Sequence, residues 1–411
     1  DAASFSADDL RLERDGVVQS LAGTTLTLTP LAGNQYRVSG LAAATGTDGS
    51  YTLTLLTTGL LSSSGAAGLG GQTVGWRMDT MAPRVLDVQD LLETVRKTVV
   101  QSLDVEMSER VDLTTFDYRD IMLTRSVNGV TSGNLIDAKT KVEHLSGNFY
   151  RVSGFNWVSG LEGTYQFSVS GAGLADEAGN AGSGEASQSW LMDFHDPAAA
   201  TNLAITPDNG ASTSDMRSNQ LNFMLTGQLG ETDLSVRVTD HTTGNEIGYA
   251  TVDGLTFSIA VKLDAAGSHE LRVRTVDAAG NLADAFVTVF VDVVRPTLAT
   301  PELHRDAEGN VDSITLNFSE AIDAASLTLA ALNLSRDGGA NLLQGTTLTR
   351  VNATQYVLSD LASRTSDAGS YRFSVALPQV RDEADNVGVG SVELQFSGAQ
   401  ASTGSVSGVV Y

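Results

Sequence analysis

Two stretches of this 411-residue chain, more than three hundred residues apart, are almost the same text. DAASFSADDLRLERDG opens the chain at Asp1, and DAASLTLAALNLSRDG runs from Asp323 to Gly338. The parallel continues through GTTLTL at Gly23 and GTTLTR at Gly345, then NQYRVSGL and TQYVLSDL, then DGSYTLTL and AGSYRFSV. A chain that repeats itself in this order is an array of similar modules. The second copy has a lead-in, roughly 296–322, that has no counterpart before Asp1.

Three prolines punctuate the array at one spacing. Asp79-Thr-Met-Ala-Pro83, Asp193-Phe-His-Asp-Pro197 and Asp292-Val-Val-Arg-Pro296 each place Asp four residues before Pro, after an apolar strand-like run. Proline cannot donate to a ladder and suits the entry to a first strand. The expected modules are therefore 1–83, lacking its first strand or strands, then 84–196, a variant at 197–295, and 296–411. A tail from about 398 would open a further module. Alternation such as Tyr-x-Val and Tyr-x-Phe-x-Val is the period-two signal of half-buried strands. With forty-one glycines and about seven short strands per ~100 residues, each module is predicted to be an all-β sandwich.

A formal charge of −24 with no basic patch excludes nucleic acid and disfavours an anionic membrane surface. Two readings of that acidity stand, a solvated surface and carboxylates partly neutralised by Ca²⁺. The absence of cysteine excludes a disulfide scaffold and thiolate metal sites. No apolar run is long enough for a membrane span.

Four short motifs recur. An S-E-x-hydrophobic-Asp turn closes VEMSERVD at Asp112 and LNFSEAID at Asp323. A Gly-x-Tyr strand follows at Tyr51, Tyr165 and Tyr371. An Asp-x-x-Gly-Asn turn precedes the last strand at Asp176 and Asp277, with Asp at the glycine position in Asp382-Glu-Ala-Asp-Asn386. Asp there accepts backbone N–H bonds and Gly tolerates positive φ, so a turn explains the motif, with cation ligation as the other reading. Glu109 and Glu320 read as turn and strand-end residues.

Catalysis has little to stand on. The five histidines show no metal-ligand spacing, and no Gly-x-Ser-x-Gly elbow or phosphate-binding loop occurs. The chain is expected not to be an enzyme. Trp76 and Trp190 occupy equivalent strand ends and read as packing residues. Trp157, in GFNWVSG, has no counterpart and is the candidate ligand contact.

The proline junctions, the Asp-x-x-Gly-Asn turns, the FSEAID-type opening and ITPDNGASTSD at Ile205–Asp215 together resemble the bacterial Ig-like tandem repeats of giant cell-surface adhesins and biofilm-matrix proteins. The resemblance implies Ig-like modules arranged as an elongated rod. It implies a structural or adhesive extracellular role at the bacterial cell surface. Partners would be neighbouring modules or protomers and a host-surface, matrix or glycan ligand. It also implies Ca²⁺ at module junctions; carried over by position, the ligands would be Asp79, Asp193 and Asp292, with Asp196, Asp208 and Asp215 as further candidates. Two alternatives accompany this reading. One is a filament subunit whose first module is completed by a strand from a neighbouring protomer. The other is a glycan-binding accessory region of a secreted enzyme. An incomplete first sandwich forfeits about four to six buried side chains, on the order of 10 kcal/mol. Either upstream residues or a donated strand must therefore fill it.

Overall fold

Two-residue turns set the pattern of the whole chain. Asn128 and Gly129 (φ 49° and 79°) join strands Ile121–Val127 and Val130–Thr131. Asp15-Gly16 and Asp337-Gly338 take the same left-handed pair of conformations at equivalent places. Positive φ at both central residues gives the hairpin turn whose twist matches its strands, and Asn-Gly and Asp-Gly are the sequences that adopt it most readily. In two of the three, the turn Asp also accepts the backbone N–H of the Gly-x-Tyr strand, Ser50 to Asp15 and Ser370 to Asp337, each at 2.9 Å.

The computed structural model describes residues 1–33, 35–210 and 212–398. The tail expected to open a further module lies outside them from residue 399 onward. The chain is a tandem array of β-sandwiches, and its contacts divide it into two compact units, Asp1–Phe194 and His195–Tyr411.

The first unit holds two sets of sheets. In the stretch 84–194, a five-stranded sheet runs Val130–Thr131, Ile121–Val127, Gly163–Ser170, Glu185–Met192, Val95–Arg96. A four-stranded sheet, Lys141–Ser146, Phe149–Ser153, Ser102–Met107, Val85–Val88, packs against it. Leu103, Val105 and Met107 alternate inward from one strand and Tyr165, Phe167 and Val169 from another, forming one core. Between them they leave Arg151 and Asp104 on the outer face as a bidentate pair at 2.7 and 2.8 Å. Tyr165 stacks on Trp190 with ring centroids 5.4 Å apart, and Tyr51 stacks on Trp76 at 5.5 Å. The two tryptophans are packing residues.

The stretch 1–83 has one comparable sheet, Val17–Gln19, Leu10–Arg14, Gly49–Leu56, Gly71–Met78. Among the described residues, the two-stranded ribbon Thr27–Pro30 and Tyr36–Ser39 is the other sheet of this stretch. Among the described residues of 1–82, the buried apolar side chains are Leu10, Leu12 and Tyr51, and none of them belongs to a core cluster.

In the second unit, residues 201–291 form a four-stranded and a five-stranded sheet around Leu225, Val236, Val273 and Val289. Residues 302–397 form a four-stranded sheet, Glu302–Arg305, Val311–Asn317, Gln355–Ser359, Thr347–Arg350. Its partner is a three-stranded sheet, Leu332–Arg336, Ser370–Ala376, Ser391–Ser397. Tyr371 stacks on Phe396 at 5.3 Å, where the other two Gly-x-Tyr strands use tryptophan. No helix among the described residues is long and apolar enough to cross a membrane.

Candidate metal centre

The Asp-x-x-Gly-Asn turn is a self-contained bonding unit. Asp176 Oδ1 accepts the backbone N–H of Ala178 (2.9 Å) and Asn180 (2.8 Å), and its Oδ2 accepts the Asn180 side-chain amide at 2.8 Å. Asp382 repeats this with Ala384 and Asn386 at 2.7–2.8 Å. The glycine position needs a left-handed residue, supplied by Gly179 at φ 92° and by Asp385 at φ 69°. Sequence reading overlooked a further copy, Asp306-Ala-Glu-Gly-Asn310, which makes the same bonds at 2.8 and 3.0 Å. The turn therefore forms on its own, and what distinguishes Asp176 and Asp382 is what approaches them.

The asparagine of each of those two turns reaches backward. Asn180 Nδ2 donates to the backbone carbonyl of Asp79 at 2.9 Å, and Asn386 Nδ2 to that of Asp292 at 2.8 Å. This bond holds the end of the preceding sandwich's last strand against the turn. It thereby brings the carboxyl of the Asp-x-x-x-Pro aspartate beside the turn aspartate. The S-E-x-hydrophobic-Asp turn supplies a third acid. Asp79, Glu109 and Asp176 each place a carboxylate oxygen within 4.8 Å of the others, and Asp292, Glu320 and Asp382 do the same. Glu109 and Glu320, expected to be turn and strand-end residues, are thus also members of the clusters. Their companions are not Asp112 and Asp323, whose carboxylates cap their own turns through Thr114 and Ala325.

The two clusters differ electrostatically. In the first, Arg77 pairs with Asp79 at 2.9 Å, and the acids line a cleft of about 480 Å³. Burial raises the Glu109 carboxyl, and the charges of Asp79 and Asp176 raise it further. Burial also works against the Asp176 charge, but the bonds from Asn180 and Ala178 win and hold it low. In the second cluster Asp382 is more deeply buried, 2% exposed, and burial together with the Asp292 charge raises it despite the same bonds. Glu320 is pushed up to about 7, by burial first and then by Asp292 and Asp382. Its Oε1 is buried without a hydrogen-bond partner.

Three convergent carboxylates, one with an orphaned buried oxygen, match the donor set of a hard divalent cation, which takes six to eight oxygens. Transition metals that favour imidazole or thiolate find neither in these two trios.

The remaining candidates scatter. Asp193 lies with Glu162. Asp196 is exposed. Asp208 accepts the N–H groups of Met216 and Arg217, and burial followed by the neighbouring Asp215 raises its carboxyl. Asp215 faces Arg217 at 3.8 Å. Trp157 is 51% exposed, donates to Gly154 O, and carries Lys139 Nζ 4.4 Å above its ring. Sequence reading also missed the buried pair His269–Asp240, 2.8 Å apart. It resembles part of a hydrolase triad, but His269 Nε2 is taken by the Ala265 carbonyl at 3.1 Å, where a nucleophile would stand.

No family model and no curated protein matches the chain. Among solved structures, a 1.5-MDa bacterial ice-binding adhesin is 16% identical with a TM-score of 0.33, over 78% of this chain and 98% of that one. The I-band fragment I67–I69 of titin is 13% identical with a TM-score of 0.32, over 77% and 96%. The bacterial S-layer protein SbsC is 14% identical with a TM-score of 0.20, over 77% and 54%. The sheet topology, rather than these distant likenesses, carries the fold.

Proposed function

We propose that this chain is a structural and adhesive repeat region of an extracellular bacterial surface protein. In it, calcium at the Asp79–Glu109–Asp176 and Asp292–Glu320–Asp382 clusters stiffens the connection between consecutive sandwiches. The observation that carries the reading is the recurrence of one three-acid arrangement, built from the same three motifs, at two junctions of the array. Like charges gathered twice at the seam between sandwiches are unfavourable unless something neutralises them. Extracellular calcium modules bind with dissociation constants of about 10⁻⁴–10⁻³ M, so a modest ligand set suffices outside the cell. A tandem array in which each repeat touches its neighbours gains reach with repeat number, which suits a spacer.

Calcium titration of the intact chain tests the reading by calorimetry and small-angle scattering. At about ten times the dissociation constant, calcium should raise the melting temperature by about 2–6 °C. Chelation should lower it and broaden the scattering-derived distance distribution. The double variant Glu109→Gln, Glu320→Gln should respond to neither. An unchanged melting temperature and an unchanged profile in the natural sequence would remove calcium from the proposal.

A further inference from the structure

The loop that carries ITPDNGASTSD has a place in the fold that the acid clusters leave unexplained. It leaves strand Thr201–Thr206 and ends in Arg217–Ser218, a short edge strand paired parallel to Leu282–Val291. Its own side chains close it. Asp208 accepts the N–H groups of Met216 and Arg217, and Asn209 Oδ1 accepts that of Asn219 at 3.2 Å. The Asn209 N–H returns a bond to the Arg217 carbonyl at 2.8 Å. Arg217 lies over the Phe290 ring, its guanidinium carbon 5.0 Å from the centroid.

The closed loop meets the Asp382–Asn386 turn of the fourth sandwich at three points. The Gly210 backbone packs so closely on the Glu383 carbonyl that a methyl group on Gly210 would overlap the oxygen. Arg217 Nη2 stands 3.6 Å from a Glu383 carboxylate oxygen, and Asn219 Nδ2 donates to the Asp385 carbonyl at 3.5 Å. The same turn holds the Asp292 carbonyl through Asn386, and the Asp292 N–H is in turn bonded to Ser218 O at 2.9 Å. One turn of the fourth sandwich is thus gripped by both the first loop and the last strand of the third. Each contact is weak alone, since an ion pair half open to water counts for little. Together they fix a position, because a loop already ordered by its own bonds gives up little further freedom on docking.

We propose that the loop 207–219 is a clasp that locks the third and fourth sandwiches into one rigid pair without a bound cation. Arg217, shared between Asp215 of its own loop and Glu383 of the next sandwich, supplies positive charge across the joint from within the chain. Gly210, at φ 98°, supplies a close backbone approach that a side chain would forbid. The clasp is independent of the calcium reading, since none of its three contacts uses the carboxylates of Asp292, Glu320 or Asp382.

The chain has no cysteine, so paired spin labels can be placed on it at chosen sites. In the intact chain, labels at Thr251→Cys and Thr349→Cys, both exposed positions, report the separation of the two sandwiches by double electron–electron resonance. In chelator the natural loop should give one narrow distance peak, and Gly210→Ala should lose it to a broad distribution. Gly244→Ala is the control. It imposes a methyl on the same left-handed backbone, φ 79°, where nothing stands within 4 Å, and should keep the narrow peak. The double variant Glu383→Ala, Asn219→Ala removes the side-chain contacts with no change of backbone conformation and should also broaden the peak. Unchanged hydrogen exchange at Val273 and Phe373 in these variants shows that both sandwiches stay folded. A narrow peak that survives both Gly210→Ala and the double variant overturns the clasp, and so does its loss in Gly244→Ala. A peak that is broad in chelator and narrows only with calcium also overturns it, leaving the joint to the acid cluster. A peak equally narrow in calcium and in chelator supports the clasp, whether or not calcium binds beside it.

Discussion

Glu320 carries a carboxyl out of balance with its surroundings. Its carboxyl is half-buried between two other acids, and its folded value of about 7 lies well above the ordinary 4.5. A group raised in this way contributes stability that is full below about pH 4.5 and is lost as pH rises through about 7. The loss is at most on the order of 3 kcal/mol, and less after solvent screening. In chelator, the unfolding free energy of the second unit should therefore decline between about pH 5 and pH 8, as denaturant titrations at fixed pH would record. Calcium should abolish the decline, because a bound dication displaces the proton and neutralises the acids, and binding at the Glu320 cluster near pH 7 should release about half a proton to the buffer. Glu320→Gln should flatten the chelator curve. A decline that survives this substitution would place the titration elsewhere.

At the scale of the element, the Asp-x-x-Gly-Asn turn offers its own control. Asn386 and Asn310 make the same bonds to their turn aspartates, but only Asn386 also grips a carbonyl of the preceding sandwich. Asn386→Ala should cost about 1–3 kcal/mol by denaturant unfolding, since it strands two acceptors, and Asn310→Ala distinctly less. Equal losses would reduce the backward bond to decoration. The turns themselves were legible in sequence, because Asp, Gly and Asn each have a local reason to occupy them. So were the strands, because Tyr165, Phe167 and Val169 fall on alternate positions of a half-buried ribbon. The convergence of Asp79, Glu109 and Asp176 was not, since long stretches of chain separate them and each has a sufficient local explanation. One signal was present and unused. The S-E turn is missing from the variant stretch 197–295, while the turn at Asp277 is retained, so the motifs do not always travel together. The buried His269–Asp240 pair left no trace at all, because two residues on neighbouring strands, 29 positions apart, have no characteristic spacing.

Across the whole molecule, stability is unevenly distributed. The second, third and fourth sandwiches each close around a cluster of buried apolar side chains, and the first does not. Unfolding should consequently be multistate, with amides of residues 10–78 exchanging first and through openings far smaller than those protecting Tyr165 or Val273. Uniform protection across all four stretches would show that the first sandwich is already complete in solution.

The backward bonds of Asn180 and Asn386 also redraw where one repeat stops and the next starts. By sheet membership the boundary falls at the proline, yet the strand end before it is held by side chains that lie beyond it. The piece that could be excised, transplanted or duplicated without loss is thus a sandwich together with the last residues of its predecessor. Recombination that respects the prolines would part lock from key at these two joins, whereas a breakpoint upstream of Asp79 or Asp292 would carry both across together.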